Sequence, residues 1–536
     1  MPSIAPRLLC TALLAAAAAL AQTGGAPLPR IVQKDGRYAL FVDDAPFLIL
    51  GAQVNNSSAW PAMLPKVWPA IAYVEANTIE VPIYWEQFEP QPGQFDYANL
   101  DTLLSQAREH NVRLVLLWFG AWKNGSSHYM PLWMKAEPER YPRITGKDGR
   151  AVDSPSPHAP ATLAADQRAF AALMRHLKTA DQRHTVILVQ VENEAGTYGA
   201  VRDYSPAAQK LFEGPAPREL LAALHRDAGR GANWQEVFGA ESEELFHAWS
   251  VAHFIGQVAA AGKAEYGLPL YTNAALRDPL QPGPPGSYES GGPTDNVIPV
   301  WKAAAPALDL VAPDIYMSDS ARYLKVLELY GRPGNALFVP ETGNSAVYAR
   351  FFFAALGHQA IGFAPFGIDY TGYSNAPLGA ARINEESLAP FALNYKLIGP
   401  MMREIARLNF EGRLQAVAEE SGAHSQTLEF GPWKAVVSYG VPAFGPGSNP
   451  PGNPQPVGRA LVARLGDNQF LAAGFFCRID FRTNAPGKQR EFLRVEEGAY
   501  RDGEFQAERL WNGDQTDWGL NFSSAPQVLR VTLGTY

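Results

Sequence analysis

Short apolar runs alternate with amphipathic stretches over residues 47–366. The amphipathic stretches place apolar residues at helical spacing, as in Asn99–His110, Ala164–Lys178, Glu243–Tyr266 and Ser345–Leu356. Continuous apolar strands separated by helices are typical of a parallel sheet that is buried on both faces. The eight apolar runs are Phe47–Gly51, Thr78–Tyr84, Val112–Phe119, Thr185–Val191, Leu268–Thr272, Leu308–Tyr316, Ala336–Pro340 and Ala360–Phe366. Eight such units predict an α/β fold, a (β/α)₈ TIM barrel. An open doubly wound sheet is the alternative, although no GxGxxG follows any run.

The pattern changes on both sides of this region. Before it, residues 30–50 alternate like a β-hairpin around Asp43–Pro46. After about residue 410, segments such as Ala435–Tyr439 and Val528–Leu533 alternate like half-buried strands, and helical periodicity is absent. We therefore predict a barrel domain over residues 22–409, which includes the N-terminal β-hairpin, and an all-β, β-sandwich-like accessory domain over residues 410–536.

Residues 1–21 have the pattern of a secretory signal peptide. Arg7 precedes the apolar segment Leu8–Leu20, and Ala19-Leu20-Ala21 is a small-residue cleavage site. The segment is short for a membrane span, and an N-terminal anchor helix is the alternative. We expect a periplasmic or secreted protein with no membrane association after cleavage. Removal of the leader would leave Cys477 as the one cysteine, which excludes an intramolecular disulfide and a thiolate metal cluster.

Composition narrows the classes of function. Hydrophobic residues make up 47% of the chain and charged residues 18%, which is typical of a globular protein. The chain has 45 Lys and Arg against 53 Asp and Glu, a net charge of −8, which argues against a nucleic-acid partner. The ten His show no metal-ligand spacing, so we predict no metal site and no organic cofactor. The oligomeric state is not predicted.

Two of the apolar runs are followed by carboxylates. Glu192-Asn193-Glu194 follows the fourth run, and Glu341-Thr342-Gly343 follows the seventh. The carboxyl ends of the strands form the active face of a parallel barrel. A pair of carboxylates at this face can cleave a glycosidic bond, one as a general acid and the other as a nucleophile. From the local sequence alone, structural carboxylates bonded to helix N-termini are an equal alternative for Glu194 and Glu341.

The segments around these carboxylates resemble a known group of enzymes. Gln190–Gly196 (QVENEAG) resembles the Q-[IV]-E-N-E-[YF]-G motif of glycoside hydrolase family 35, the β-galactosidases. Trp85–Pro90, followed by Gly93 and Phe95, resembles the W-N-x-H-E-P-x-x-G-x-[YF] segment of that family, and Met130–Trp133 resembles its L-P-x-W loop. A fourth strand ending in Asn-Glu and a seventh ending in Glu are similar to the clan A retaining glycosidases, which have (β/α)₈ barrels.

This resemblance implies roles for four residues. Glu194 is expected to be the acid/base and Glu341 the nucleophile. Asn193 would donate a hydrogen bond to the 2-hydroxyl of the sugar, a contact that strengthens in the transition state. Tyr316, at the end of the sixth strand, would lie beside Glu341 and help to keep it ionised.

Three further residues are predicted to bind substrate. Trp85 and Trp118 are the aromatic residues that we expect to stack on a sugar ring, with the barrel core as the alternative. Glu86 stands where the family 35 motif has Asn, and we assign it to substrate binding.

The chain also departs from family 35, which leaves the preferred sugar open. The family's A-E-W, whose Glu binds galactose hydroxyls, is replaced by Gly120-Ala121-Trp122-Lys123. Residues Trp85–Asp101 also resemble glycoside hydrolase family 42, so we place the chain in a divergent bacterial branch of family 35 between the two families. We predict a retaining exo-acting β-galactosidase that takes terminal β-galactose from oligo- or polysaccharides. A β-glycosidase for another sugar and a non-catalytic carbohydrate-binding protein are the alternatives.

Overall fold

The protein is described here from a computed structural model that covers residues 27–227, 229, 231–440 and 450–536. The predicted signal peptide, residues 1–21, lies outside the described residues. The first described element is an antiparallel sheet of three strands, Arg30–Lys34, Arg37–Val42 and Ala45–Phe47. The last two of these strands form a hairpin at the position that the alternating pattern predicts.

Eight parallel strands follow and close into a barrel. Each strand pairs with its neighbours in chain order, and the eighth pairs with the first. The barrel strands, numbered one to eight below, are Ile49–Gln53, Thr78–Tyr84, Arg113–Lys123, Val186–Asn193, Leu270–Ala275, Leu310–Ile315, Val339–Thr342 and Gly362–Pro365. Their residues are almost all buried, as expected for strands covered by helices on the outside and by side chains on the inside. The predicted TIM barrel is thus confirmed.

Helices surround the barrel and connect its strands. The α-helices are Leu64–Val74, Trp85–Phe88, Ala98–Glu109, Leu132–Lys135, Pro160–Ala180, Pro206–Phe212, Arg218–Ala223, Trp234–Phe238, Ser242–Glu265, Ile298–Ala304, Ser320–Tyr330, Phe351–Gly357, Glu385–Ile398 and Met402–Phe410. Short 3₁₀ turns cover Gly239–Glu241, Ala346–Tyr348, Gly399–Met401 and Gly513–Gln515. Over the described part of the chain, no helix combines the length and the apolar character needed to cross a bilayer.

The two longest helices, which flank barrel strand four, are packed closely. A Cβ added at Gly262 would lie 2.3 Å from the Phe170 ring of the other helix, so glycine is what allows this approach. This pair of helices supports the strand that carries the predicted acid/base. A small two-stranded sheet, Arg143–Thr145 with Ala151–Pro155, lies in the connection after barrel strand three.

The C-terminal region consists of two antiparallel sheets. The six-stranded sheet has the order Leu414–Ala418, Arg459–Arg464, Gln469–Phe475, Val528–Thr535, Arg490–Arg501 and Glu504–Leu510. The four-stranded sheet has the order Ser425–Phe430, Trp433–Tyr439, Cys477–Thr483 and Leu520–Phe522. This region confirms the predicted all-β class.

The larger sheet joins the two cores. Val462 and Ala472 contribute to the core between the two sheets, whereas Leu461 and Leu471 belong to the core that continues into the barrel. This is the two-residue alternation of a strand that is buried on both faces. Polar contacts add to the junction, including a hydrogen bond of 2.7 Å from Arg459 Nε to Asn394 Oδ1. The C-terminal sheets therefore brace the barrel.

Candidate active site

A cavity of about 500 Å³ opens at the carboxyl ends of the barrel strands. This volume lies within the range of about 300–1,000 Å³ that is common for small-molecule sites. The cavity is lined by Asn56, Lys123, Asn124, Glu194, Tyr198, Ala275, Leu276, Glu289, Asp314, Tyr316, Met317, Glu341, Phe366, Tyr373, Asn375 and Leu378. Three of the seven predicted site residues, Glu194, Tyr316 and Glu341, are in this lining.

Glu341 lies in barrel strand seven and is held by two donors. The Tyr316 hydroxyl donates to Glu341 Oε1 over 2.6 Å, and Gln53 Nε2 donates to Oε2 over 2.9 Å. Hydrogen bonds that are donated to a carboxylate favour its ionised form. The predicted contact between Tyr316 and Glu341 is therefore present. Gln53, the last residue of barrel strand one, was not predicted.

Glu194 directly follows barrel strand four, and its backbone is held on both sides. Its N–H donates to Asn273 Oδ1 over 2.9 Å, and its carbonyl accepts from the Gly125 N–H over 2.9 Å. Gly125 belongs to an Asn-Gly turn, which is a favoured sequence where both central residues need positive φ. Glu194 itself has φ +44°, an uncommon conformation for a residue with a side chain. The two flanking bonds hold this strained backbone in place.

The carboxyl groups of the cavity shift one another's protonation. Carboxylate oxygens of Glu194, Asp314 and Glu341 all lie within 4.8 Å of one another. Enclosure by protein, with Glu341 nearby, raises the pKa of Glu194 to about 7, although Lys123 opposes the shift. Burial, Glu341 and Glu194 also raise the pKa of Asp314, which shares a hydrogen bond with Glu194, while Lys123 opposes this shift. The site therefore holds one carboxyl prepared to donate a proton and another held by hydrogen bonds as an acceptor.

Asn193 directly precedes Glu194 in the chain; it is buried and is not among the residues that line the cavity. Lys123 Nζ donates to Asn193 Oδ1 over 2.8 Å. That bond orients the amide, and Asn193 Nδ2 has no partner among the described residues. A free donor beside Glu194 fits the predicted contact to a sugar hydroxyl, which remains a proposal.

Trp85 and Trp118 are not in the cavity, so the expectation that they stack on sugar is corrected. Both side chains are 0% exposed. Trp85 Nε1 donates to Glu89 Oε2 over 2.8 Å, and Trp118 Nε1 donates to Asp166 Oδ1 over 2.9 Å. The two rings pack against each other with centroids 6.0 Å apart. They form the barrel core, which was the alternative for both.

The motif around Trp85 is a structural unit. The Glu89 carboxylate accepts from Trp85, from the Gly93 N–H over 2.7 Å and from Arg168 over 2.8 Å. The Glu89 carboxylate thus links Trp85 and Gly93, the other two residues of this motif. The prediction for Glu86 is corrected as well, since its exposed side chain lies outside the cavity lining and pairs with Lys135 at 3.4 Å.

Four functional candidates were missed: Gln53, Lys123, Asp314 and Glu289. Asp314 precedes Tyr316 by two residues, so strand alternation could have placed both side chains on one side. Tyr198 and Tyr373 are the cavity aromatics that remain well exposed, at 50% and 58%. They lie in loops, where periodicity gives no signal. Glu289 lies in a long loop after barrel strand five, and nothing in its local sequence marks it.

The cluster of Glu194, Asp314 and Glu341 also has the spacing of a cation site. An all-carboxylate set suits Mg²⁺ or Ca²⁺. Glu341, however, already accepts bonds from Tyr316 and Gln53 through both of its oxygens. Both Glu341 oxygens therefore already have donors from the protein, and the absence of a metal from the reaction stays a prediction.

Comparison with known families finds two matches along the chain. Residues 69–253 match the family model described as β-galactosidase (Glyco_hydro_42), and residues 391–523 match a domain of unknown function (DUF5597). The first match contains Asn193 and Glu194 and ends before Glu341. This part of the barrel is therefore similar to glycoside hydrolases. A search of curated proteins finds no match.

Several solved structures are similar in fold. The β-galactosidase from Bacillus circulans sp. alkalophilus is 14% identical, with 67% of this chain and 57% of that chain covered and a TM-score of 0.48. The β-galactosidase from Rahnella sp. R3 is 15% identical, covering 68% and 58%, with a TM-score of 0.48. The catalytic domain of β-amylase from Paenibacillus polymyxa is 14% identical, covering 65% and 97%, with a TM-score of 0.49. The chain thus spans less than two thirds of the two β-galactosidases.

Proposed function

We propose that the protein is a retaining exo-acting β-glycosidase, and most specifically a β-galactosidase. One observation carries the proposal: Glu194 follows barrel strand four, Glu341 lies near the end of strand seven, and one carboxylate oxygen of each lies within 4.8 Å of the other. Retaining glycosidases hold their two carboxyl groups about 5–5.5 Å apart, whereas inverting enzymes need about 6.5–9.5 Å to admit a water. The short separation therefore supports retention.

The proposed reaction proceeds by two displacements. The Glu341 carboxylate attacks the anomeric carbon while Glu194 donates its proton to the leaving oxygen, which gives a covalent glycosyl-enzyme. Glu194, now ionised, takes a proton from water, and the resulting hydroxide equivalent displaces Glu341 with the original configuration. Each step reverses the charge on Glu194, so a pKa near 7 allows both roles at neutral pH.

The surroundings of the pair fit this cycle. Tyr316 and Gln53 hold the Glu341 carboxylate in position before attack and can stay bonded to it as its charge is transferred. The unpaired Asn193 Nδ2 is available for a sugar hydroxyl. The cavity volume of about 500 Å³ is suitable for a small ligand such as a terminal sugar.

Galactose as the released sugar is the finer part of the proposal. It is supported by the family 35 motif Gln190–Gly196 and by the β-galactosidase family match over residues 69–253. Another β-linked sugar is the second candidate, because the stretch Gly120–Lys123 at the end of barrel strand three lacks the galactose-binding Glu of family 35. We also propose that the enzyme acts in the periplasm or outside the cell, on the basis of the signal-like residues 1–21.

Hydrolysis of nitrophenyl α- and β-glycosides by the purified mature chain tests the proposal. We expect β-galactoside turnover, with the β-anomer as the first product seen by NMR. The Glu341→Gly variant should be inactive and should regain turnover with azide, forming the α-glycosyl azide. Glu219→Gln, an exposed change on helix Arg218–Ala223, is the matched control.

Three results would contradict parts of this account. A first-formed α-anomer would contradict retention. Full activity of Glu341→Gly would remove the nucleophile. Turnover of a different β-glycoside that is lost in Glu341→Gly would retain the mechanism and replace galactose.

A further inference from the structure

One buried carboxylate in the cavity has no structural explanation. Glu289 is 1% exposed and lines the same cavity as Glu194 and Glu341. Neither of its carboxylate oxygens has a hydrogen-bond partner among the described residues. Leaving a buried polar group unpaired costs about 1–3 kcal/mol, and more for a charge. Such a cost is expected where a ligand supplies the missing partners.

The position of Glu289 is fixed by its backbone. The next residue, Ser290, exchanges two backbone hydrogen bonds with Thr197, of 2.9 and 3.1 Å. These bonds tie the loop to the segment that follows Glu194. A Cβ added at Gly196 would lie 3.1 Å from the Glu289 carbonyl, so the two segments approach as closely as glycine allows. These contacts fix the backbone at Glu289, from which its side chain extends.

The side chain of Glu289 also faces the Asn-Gly turn after barrel strand three. A Cβ added at Gly125 would lie 3.1 Å from Glu289 Oε1. The same turn supplies the N–H that binds the Glu194 carbonyl. One glycine thus leaves room for the Glu289 carboxylate and positions the predicted acid/base.

Lys123 carries the positive charge that acts on Glu289 in this part of the cavity. Among the described lining residues it is the single Lys or Arg, and it faces the carboxyl groups of Glu194, Glu289 and Asp314. Its ammonium donates to Asn193 and lies 5.0 Å from the centroid of the Phe119 ring. Burial and Glu194 raise the pKa of Glu289, while Lys123 opposes the shift. Lys123 and Glu289 influence each other but form no ion pair within 4.0 Å in the described part of the chain.

We propose that Glu289 and Lys123 recognise the hydroxyl groups of a neutral terminal sugar. Glu289 accepts hydrogen bonds from hydroxyls on the side of the ring away from the scissile bond, and Lys123 donates to an adjacent hydroxyl oxygen. This inference rests on the proposed glycosidase function and assigns sugar recognition to residues outside the family 35 motifs. Glu289 and Lys123 would bind the sugar hydroxyls that the Glu of the A-E-W segment binds in family 35, a Glu that this sequence lacks.

The charges of the cavity define the class of sugar. Four carboxyl groups, those of Glu194, Glu289, Asp314 and Glu341, face a single ammonium group along the described lining. A uronic acid would bring a further carboxylate into this buried space, where the loss of its hydration and repulsion from the Glu341 carboxylate both oppose binding. Hydroxyl groups can donate to Glu289 and accept from Lys123 without adding charge. Neutral sugars are therefore selected over uronates.

A deletion series of substrate hydroxyls tests the pair. The parent is the nitrophenyl β-glycoside that the wild-type enzyme hydrolyses with the highest kcat/KM, and the analogues lack the hydroxyl at C3, C4 or C6. The proteins are wild type, Glu289→Gln, Glu289→Leu and the exposed control Glu219→Gln. The matching nitrophenyl β-uronide is the charged probe. Thermal unfolding of each unliganded protein is measured in parallel.

We expect the wild-type enzyme to prefer the parent over at least one deoxy analogue by about 10- to 100-fold in kcat/KM. In Glu289→Leu this ratio should fall to near 1, with Glu289→Gln between the two. Wild type should hydrolyse the uronide at least about 100-fold more slowly than the parent. Tm of Glu289→Leu should equal or exceed that of wild type, because an unpaired carboxyl has been removed.

Several results would overturn the inference. These are an unchanged parent-to-deoxy ratio in Glu289→Leu, a marked fall in its Tm, or efficient hydrolysis of the uronide. Failure of the proposed function looks different, because the wild-type enzyme would then hydrolyse no glycoside. In that case, wild type and Glu289→Leu are titrated calorimetrically with free galactose. Binding to wild type that is lost in Glu289→Leu supports sugar recognition by Glu289, and no binding to wild type contradicts it.

Discussion

Two buried glutamates in the barrel, Glu89 and Glu289, have opposite surroundings. The Glu89 carboxylate accepts bonds from the Trp85 indole, the Gly93 N–H and the Arg168 guanidinium. Glu289 is equally buried, and neither of its oxygens has a partner in the described part of the chain. The Glu89 carboxylate stabilises the segment Trp85–Gly93 through these bonds. The Glu289 carboxylate, buried without partners, raises the free energy of the folded state.

This difference in hydrogen bonding distinguishes a carboxylate that stabilises the fold from one that can bind a ligand. A buried carboxylate that is saturated by its own protein has no bonding capacity left for a ligand. One that lines a cavity without partners retains all of it. Asn193 Nδ2, next to Glu194 in the chain, is also without a partner among the described residues. Unpaired buried polar groups occur elsewhere in the described chain too, but at the proposed sugar site they fit the common exchange of stability for function.

The largest effect is expected from removing the acid/base. Glu194→Ala should lower kcat/KM for a disaccharide substrate by about 10²–10⁴-fold, because the leaving alkoxide then departs without a proton. A dinitrophenyl glycoside needs no such help, so its glycosylation step should be nearly unaffected. Steady-state kinetics on both substrates measures the contrast. Equal losses on the two substrates would contradict the role of Glu194.

Removal of the Glu89 carboxylate should lower stability, in contrast to removal of the Glu289 carboxylate. Glu89→Leu leaves the Trp85 and Gly93 donors without an acceptor, and we expect the free energy of unfolding to fall by roughly 2–4 kcal/mol. Urea denaturation measures the change, with the exposed Glu219→Leu as the matched control. If Glu89→Leu unfolded like the control, the hydrogen bonds of this motif would not carry its stability.

The pH profile reports the charge balance inside the cavity. Glu194 must be protonated to act as the acid, so kcat for glycosylation should fall as the pH rises through about 7. The positive charge of Lys123 favours ionised Glu194, and Lys123→Met should therefore raise the pKa and move the basic limb to higher pH. Single-turnover kinetics across pH measures the limb. A shift to lower pH would contradict the proximity of the two groups.

The smallest effect is expected from Glu289→Gln on stability. Because the folded-state pKa of Glu289 is raised, its favourable contribution is complete below the ordinary value of 4.5 and is lost as the pH rises. Glutamine does not titrate, so the variant should match wild type near pH 4 and be more stable by about 1 kcal/mol near pH 8. Urea denaturation at both pH values measures this. Equal stability at both would show that Glu289 is already satisfied.

The sequence predicts the barrel for a simple physical reason. Strands that are covered on both faces must be apolar throughout, so their carboxyl ends are visible as polar residues, among them Glu194 and Glu341. The roles predicted for Glu194, Glu341 and Tyr316 come from the resemblance to family 35, because the pattern alone leaves structural carboxylates as an equal alternative. The boundary of 409/410 stays a prediction, although the last barrel helix ends at Phe410 and the first C-terminal strand begins at Leu414.

The sequence does not reveal which aromatic residues reach the cavity. Trp85 and Trp118 also lie near strand ends, but their indoles are buried and donate hydrogen bonds to Glu89 and Asp166. Direction at a strand end depends on local turns that no periodicity reports. Glu289 is brought to the site by a long loop, whose path is set by backbone bonds to Thr197.

Covalent trapping tests the central claim most directly. The mature chain is incubated with a dinitrophenyl 2-deoxy-2-fluoro-β-galactoside, whose fluorine slows both steps and whose leaving group needs no acid. Mass spectrometry of the intact protein and of its peptides should show one added fluorosugar per chain, attached to Glu341, and none in Glu341→Gln. Hydrolysis of the parent galactoside with no adduct formed, or an adduct on another residue, would contradict the assignment of Glu341 as the nucleophile.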